Sequence, residues 1–128
     1  MFRRYSKYNA KKVEIDGIKF DSKAEGEYYL HLKQQVAEGK ILGFERQIKI
    51  TLQESFYLEI EGVKKKIRAI TYVADFKVMK NDGSITYIDV KGIETTEFRM
   101  KRKMFMNLYR IPLVTVKKQK GDWLYSYV

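Results

Sequence analysis

Asn81-Asp82-Gly83 sits between two stretches crowded with β-branched and aromatic side chains, Ile67–Met79 and Ile85–Val90. That pattern commits the middle of the chain to a β-hairpin. A three-residue hairpin loop favours a type I turn followed by a left-handed residue, a place that suits Gly83. In this register Lys80 faces Ser84, Asp75 faces Asp89 and Val73 faces Lys91. Opposed side chains share a face, with Cβ atoms roughly 4.5–5.5 Å apart. Side chains alternate along a strand, so Asp89 and Lys91 point the same way. Two facing carboxylates destabilise a sheet unless something positive lies between them. A divalent cation resolves that conflict, and the Lys91 ammonium helps. A two-residue loop, Asp82-Gly83, would pair Asp75 with Val90 and place the acids on opposite faces. The register therefore decides whether a site exists.

Charge points the same way. Twenty-six Lys and Arg stand against 16 Asp and Glu, a formal charge of +10 over 128 residues. The basic residues gather at Arg3, Arg4, Lys7, Lys11 and Lys12, at Lys64–Lys66 and Arg68, at Arg99–Lys103, and at Lys117, Lys118 and Lys120. An excess of this size implies a polyanionic partner, most simply nucleic acid. There are no cysteines, which excludes disulfides and thiolate metal sites. His31 is the single histidine, which argues against a His-ligated zinc or a Ser–His pair. No apolar run approaches the roughly 20 residues of a membrane span. With no apolar signal core at the N-terminus, a cytoplasmic setting is expected.

The length suits one domain. A basic arm is expected over residues 1–12 and a single domain over 13–128. Val13-Glu14-Ile15 and Ile18-Lys19-Phe20 flank Asp16-Gly17, a short hairpin. A helix is expected from about Ser22 to Glu38, ending near Gly39. Phe44–Leu52 and Phe56–Ile60 read as strands, followed by the central hairpin. A second helix runs from about Thr96 to Tyr109, anchored by Phe98, Phe105, Leu108 and Tyr109. Strands follow at Leu113–Val116 and Trp123–Val128. Helix, strands, helix, strand is the order of an α/β or α+β fold, a mixed central sheet flanked by helices.

Helical spacing separates two candidate acids in the first helix. Glu25 shares a stripe with Tyr29, Leu32 and Val36 and faces the sheet, whereas Glu27, with His31, Gln34 and Glu38, faces water. A core-facing carboxylate is costly unless paired or metal-bound. Ser22-Lys23-Ala24-Glu25 also matches a capping box, with Ser22 as N-cap and Glu25 reaching back. Site acid and helix cap remain two readings of Glu25. The corresponding plain readings are a solvated edge-strand acid for Asp75 and a surface ion pair for Asp89 and Lys91.

At these residues the chain resembles the PD-(D/E)XK nuclease superfamily, in which a helical acid precedes an Asp and then Asp/Glu-x-Lys on the next strand. Ser22-Lys23-Ala24-Glu25, Thr71-Tyr72-Val73-Ala74-Asp75-Phe76 and Asp89-Val90-Lys91-Gly92 are similar to segments of phage endonuclease I-type Holliday-junction resolvases. The likeness extends to a family of short phage proteins assigned to this group and spans Lys7 to about Val116. Ala74 replaces the proline of the superfamily's name, and Asp89 stands where many members carry Glu.

The resemblance implies a restriction-endonuclease-like αβββαβ core and a Mg2+-dependent DNA endonuclease, structure-selective and resolvase-like. Mn2+ is expected to substitute for Mg2+. Asp75, Asp89 and the Val90 carbonyl would hold the metal, with Glu25 completing the site or supporting a second ion. Lys91 would orient the attacking water or stabilise developing charge. Arg3, Arg4, Lys7, Arg99, Lys101 and Lys103 are candidate DNA contacts, and Gln47 is either a site-lining group or an ordinary strand residue. A symmetric homodimer on a four-way junction follows by the same analogy. The competing reading is a non-catalytic DNA- or RNA-binding module whose acids only stabilise the hairpin.

Overall fold

The computed structural model describes residues 12–128. Arg3, Arg4 and Lys7 lie outside the described residues. A small hairpin comes first, β1 (Val13–Ile15) and β2 (Ile18–Phe20), turned by Asp16 and Gly17 with φ of 54° and 76°. Helix α1 (Lys23–Ala37) follows. Its N-cap Ser22 accepts the Glu25 N–H at 3.1 Å, and Gly39, with φ of 74°, turns the chain away at the other end.

A five-stranded sheet forms the body. Its strands are β3 (Ile41–Gln53), β6 (Ile70–Lys80), β7 (Ile85–Val90), β8 (Leu113–Gln119) and β9 (Asp122–Ser126), hydrogen-bonded in that order. The first three form an antiparallel meander. Helix α2 (Thr96–Tyr109) then carries the chain over to β8, which pairs parallel with β7, and β9 folds back antiparallel on β8. The result is a mixed α+β fold, with two helices among the described residues. Among the described residues, no helix is long and apolar enough to cross a membrane.

Alternate residues of β7 and β8 face different helices. Ile88, Val114 and Val116 pack with Tyr28, Tyr29 and Leu32 of α1, while Tyr87 and Leu113 pack with Phe98 and Phe105 of α2. Strand β6 serves both clusters. Phe76 and Val78 belong to the α1 cluster, Tyr72 and Ala74 to the α2 cluster, and the division falls at Asp75.

Four expectations need correction. Ile67–Met79 is not one strand: β5 (Val63–Ile67) turns back at Glu61 and Gly62 to pair with β4 (Phe56–Ile60), and β6 begins only at Ile70. The β4–β5 ribbon forms its own sheet, with Phe56, Leu58, Ile60 and Val63 exposed along one face. Leu108 does not anchor α2, since it is 52% exposed, whereas Tyr109, though 46% exposed, stacks on Phe105 at 5.0 Å and donates its hydroxyl to the Thr51 carbonyl of β3 at 2.9 Å. His31 is not simply solvated, because β9 lays Trp123 against it at 6.1 Å between ring centroids. Lys118 of β8 likewise pairs with Glu27 at 3.0 Å. Finally, Arg102 in the basic helix turns inward. It donates to the carbonyls of Leu113 at 2.9 Å and Ser126 at 2.8 Å, and its guanidinium lies 3.6 Å from Glu94.

Removing this tie strands two carbonyls. Arg102→Met should therefore cost about 3 kcal/mol in urea unfolding. Lys103→Met, one residue on and exposed, should stay within about 0.5 kcal/mol of wild type. Equal midpoints for the two variants would show that Arg102 holds nothing.

Candidate active site

The central loop is built as its residues dictate. Gly83 donates to the Lys80 carbonyl at 2.9 Å, Lys80 donates to the Ser84 carbonyl at 2.8 Å, and Gly83 has φ of 89°. The ladder then runs Met79↔Ile85, Val78↔Thr86, Lys77↔Tyr87 and Phe76↔Ile88. Its next step brings Asp75 opposite Asp89.

At that step the ladder stops and side chains take over. The Asp75 N–H donates to Asp89 Oδ1 at 2.7 Å, and the Val90 N–H donates to Asp75 Oδ2 at 2.9 Å. Each acid is thus held by the backbone of the facing strand. The expected Val73–Lys91 opposition is not formed. Val73 pairs with Lys49 of β3, and the Lys91 N–H goes to the Val116 carbonyl of β8. The Lys91 ammonium rests over the Phe98 ring, 4.5 Å from its centroid, so α2 holds the lysine.

Burial sets the electrostatics. Asp89 is 1% exposed, and its Oδ2 is buried with no hydrogen-bond partner. Burial pushes its carboxyl up to about 6, against the pull of the Asp75 N–H, Lys91 and Arg102. Asp75 is raised as well, again chiefly by burial and despite the Val90 N–H and Lys91.

Glu25 lies on the buried stripe with Tyr29 and Leu32, whereas Val36 at its far end is exposed. Only half of the capping box forms. Ser22 Oγ takes the Glu25 N–H, but the Glu25 carboxylate turns to Gln47, whose Nε2 donates to Oε2 at 3.3 Å. Burial first, then the charges of Asp75 and Asp21, push Glu25 up to about 7, with Asp89 adding to the effect and Arg46 opposing it. The helix acid therefore feels both hairpin aspartates. Among the described residues, no three acidic or histidine side chains stand close enough to hold a metal ion by themselves.

Gln47 is not an ordinary strand residue. Arg46 pairs with Phe76 and Ile48 with Ala74, which places Gln47 opposite Asp75. Its φ of 53° is left-handed in the middle of β3. Such a conformation costs about 1–3 kcal/mol in a non-glycine residue and persists only where its surroundings impose it. The residues that sequence reasoning passed over are Asp21 and Arg46. Nothing in an alternating strand announces the kink that brings Arg46 to this neighbourhood, whereas Asp21 was legible as the acid before the N-cap.

Of the candidate phosphate contacts on α2, Arg99 is exposed and lies 3.7 Å from Glu94, and Lys101 is drawn to Glu97 at 3.1 Å. Lys103 is exposed.

A family of proteins of unknown function, DUF1064, matches residues 5–121. The chain belongs to that family. No curated protein and no solved structure gives a significant match.

The raised aspartate has a thermodynamic signature. The folded state carries Asp89 at about 6 against 3.8 for the free side chain, so ionising it in place opposes folding. That penalty is absent below 3.8, grows as pH rises, and is complete above about 6. Asp89→Asn should therefore be more stable than wild type by on the order of 1–3 kcal/mol at pH 7.5. The gain should vanish near pH 4. Chemical unfolding across this range checks it, and a pH-independent difference would refute the account of Asp89.

Proposed function

We propose that this chain is a Mg2+-dependent DNA endonuclease that hydrolyses phosphodiester bonds. The observation that carries the reading is the reciprocal grip of Asp75 and Asp89, which leaves Asp89 Oδ2 buried and without a partner. A buried carboxylate with an unpartnered oxygen is costly unless a cation pairs with it. Mg2+ commonly takes one or two protein carboxylates and fills its octahedron with waters and substrate phosphate oxygens. A complete three-acid cage is therefore unnecessary, and the residues present fit the ion. In this reading Asp75, Asp89 and the Val90 carbonyl hold it, and Glu25 completes the site or supports a second ion. A bound Mg2+ would supply an acidified water and charge neutralisation at phosphorus.

The remaining chemistry belongs to the chain. Lys91, steadied on Phe98, orients the attacking water or stabilises negative charge developing on the phosphate oxygens. Gln47 fixes the Glu25 carboxylate toward the hairpin rather than back at its own helix.

The element order supports the same assignment. With the β4–β5 ribbon set aside as an insertion, α1, β3, β6, β7, α2 and β8 follow the αβββαβ order of the PD-(D/E)XK core. Glu25, Asp75, Asp89 and Lys91 come in the order that the resemblance implies for its motif. The likeness to endonuclease I-type resolvases favours branched DNA, with two sites supplied by a homodimer. A non-catalytic binding module accounts for the charge but gives no reason for the orphaned Asp89 oxygen.

Purified protein with Mg2+ should nick supercoiled plasmid and cut a four-way junction in preference to linear duplex, with Mn2+ substituting. Asp75→Ala, Asp89→Ala and Lys91→Ala should each lower the rate about a hundredfold or more. Full activity in any of the three removes that residue from the mechanism. Mg2+ should raise the melting temperature of wild type and leave Asp89→Asn unmoved. No cleavage together with no metal-linked stabilisation would favour the binding module. Light scattering should return twice the 15.3 kDa chain mass, and a monomer mass would remove the paired-site geometry.

A further inference from the structure

We propose that Arg46 grips a phosphate of the bound nucleic acid beside the carboxylate cluster. The guanidinium is held in place but has no anion among the described residues. It stacks over the Phe20 ring, 4.5 Å from the centroid, and its Nε is buried without a hydrogen-bond partner. None of the ion pairs among the described residues includes Arg46. Even so, its charge reaches Glu25 and Asp75 strongly enough to oppose the upward push on both carboxyls. An arginine beside acids would ordinarily close on one of them. Here the ring and the β3 backbone keep it out of ion-pair range.

Its orientation follows from Gln47. Adjacent residues of a regular strand point to opposite faces. The left-handed φ of Gln47 breaks that rule, and both side chains reach the entry to α1, Arg46 at Phe20 and Gln47 at Glu25. The kink is thus a device for delivering two consecutive polar side chains to one place. Gln47 satisfies the acid. The guanidinium remains, a planar fork of donors matched to phosphate oxygens and less strongly hydrated than an ammonium. Lys91 rests on Phe98 of α2 and Arg46 on Phe20 ahead of α1, and the charges of both reach Asp75. A phosphate drawn to the acid-held cation would meet both positive groups.

This inference rests on the nuclease reading, and its test separates the two. The probe is a fluorescein-labelled four-way junction with Ca2+ in place of Mg2+, titrated at several salt concentrations between roughly 50 and 200 mM. Arg46→Met keeps an apolar contact on Phe20 and removes the charge. It should bind about tenfold or more weakly at the lowest salt, with the slope of log affinity against log salt reduced by about 0.9, one phosphate contact. Arg46→Lys keeps the charge without the fork. It should retain the wild-type slope and melting temperature while cutting about tenfold more slowly with Mg2+. A purely structural arginine would lower the melting temperature of Arg46→Met and leave the slope of the folded protein unchanged.

Wild-type affinity and slope in Arg46→Met, with Mg2+-dependent nicking by wild type intact, overturns the role of Arg46 and spares the nuclease. Should Arg46→Met fail to fold, wild-type cutting by Arg46→Lys overturns it instead. If wild type neither binds the junction nor nicks plasmid, both proposals fall.

Discussion

Two hydrogen bonds hold the site together, from the Asp75 N–H to Asp89 and from the Val90 N–H to Asp75. They replace ladder bonds with side-chain bonds at the point where β6 and β7 stop pairing. The exchange leaves the donors satisfied, and so the sheet can open there without orphaned amides. It also fixes each carboxylate by one oxygen and leaves Asp89 Oδ2 unused. A surface ion pair would be loose and screened. These acids are locked to the opposite strand, and Asp89 is set in the core, a costly arrangement unless a cation completes it.

The same point is where the two halves of the hydrophobic core part. Phe76 packs with the α1 cluster and Ala74 with the α2 cluster, with Asp75 between them. Elements from both sides therefore converge on the opening. Glu25 and Gln47 approach from the α1 side, and Lys91 and its Phe98 support from the α2 side. The parts of the site come from separated stretches of sequence: Glu25, Gln47, Asp75 and Asp89 are carried on a helix or strands, and Lys91 directly follows β7 with its N–H tied to β8. Rigid carriage suits chemistry in which placement of charge does the work.

How much of this was legible in the sequence depended on range. Asn81-Asp82-Gly83 set the hairpin register because turn chemistry is local, and Gly83 has the left-handed φ that reading requires. The helix stripe that separated Glu25 from Glu27 held for the same reason, until Val36, where the sheet no longer covers the helix. Failures came where distant chain decided. Lys64-Lys65-Lys66 hid a strand, because a basic run obscures period-two alternation and only pairing with Phe56–Ile60 stabilises it. Arg102 read as one more charge on a basic helix, but carbonyls from β8 and β9 draw it inside. The kink at Gln47 has no local cue, since neither glycine nor proline marks it.

Glu25 shows why cap and site acid need not compete. A helix N-terminus must satisfy its first amides, and Ser22 Oγ does this for the Glu25 N–H without help from the Glu25 side chain. Gln47 then offers the carboxylate a partner away from the helix, at the cost of its own strained backbone. An acid that folded back as a cap would stabilise α1 and lie out of reach of Asp75 and Asp89. Turned outward, it is pushed up to about 7 by burial and by its neighbours' charges. Strain in β3 and an unfavourable ionisation in α1 are thus spent on the same outcome, a third carboxylate directed at the hairpin. Stability alone gives no reason for either expense, whereas the proposed cation site would account for both.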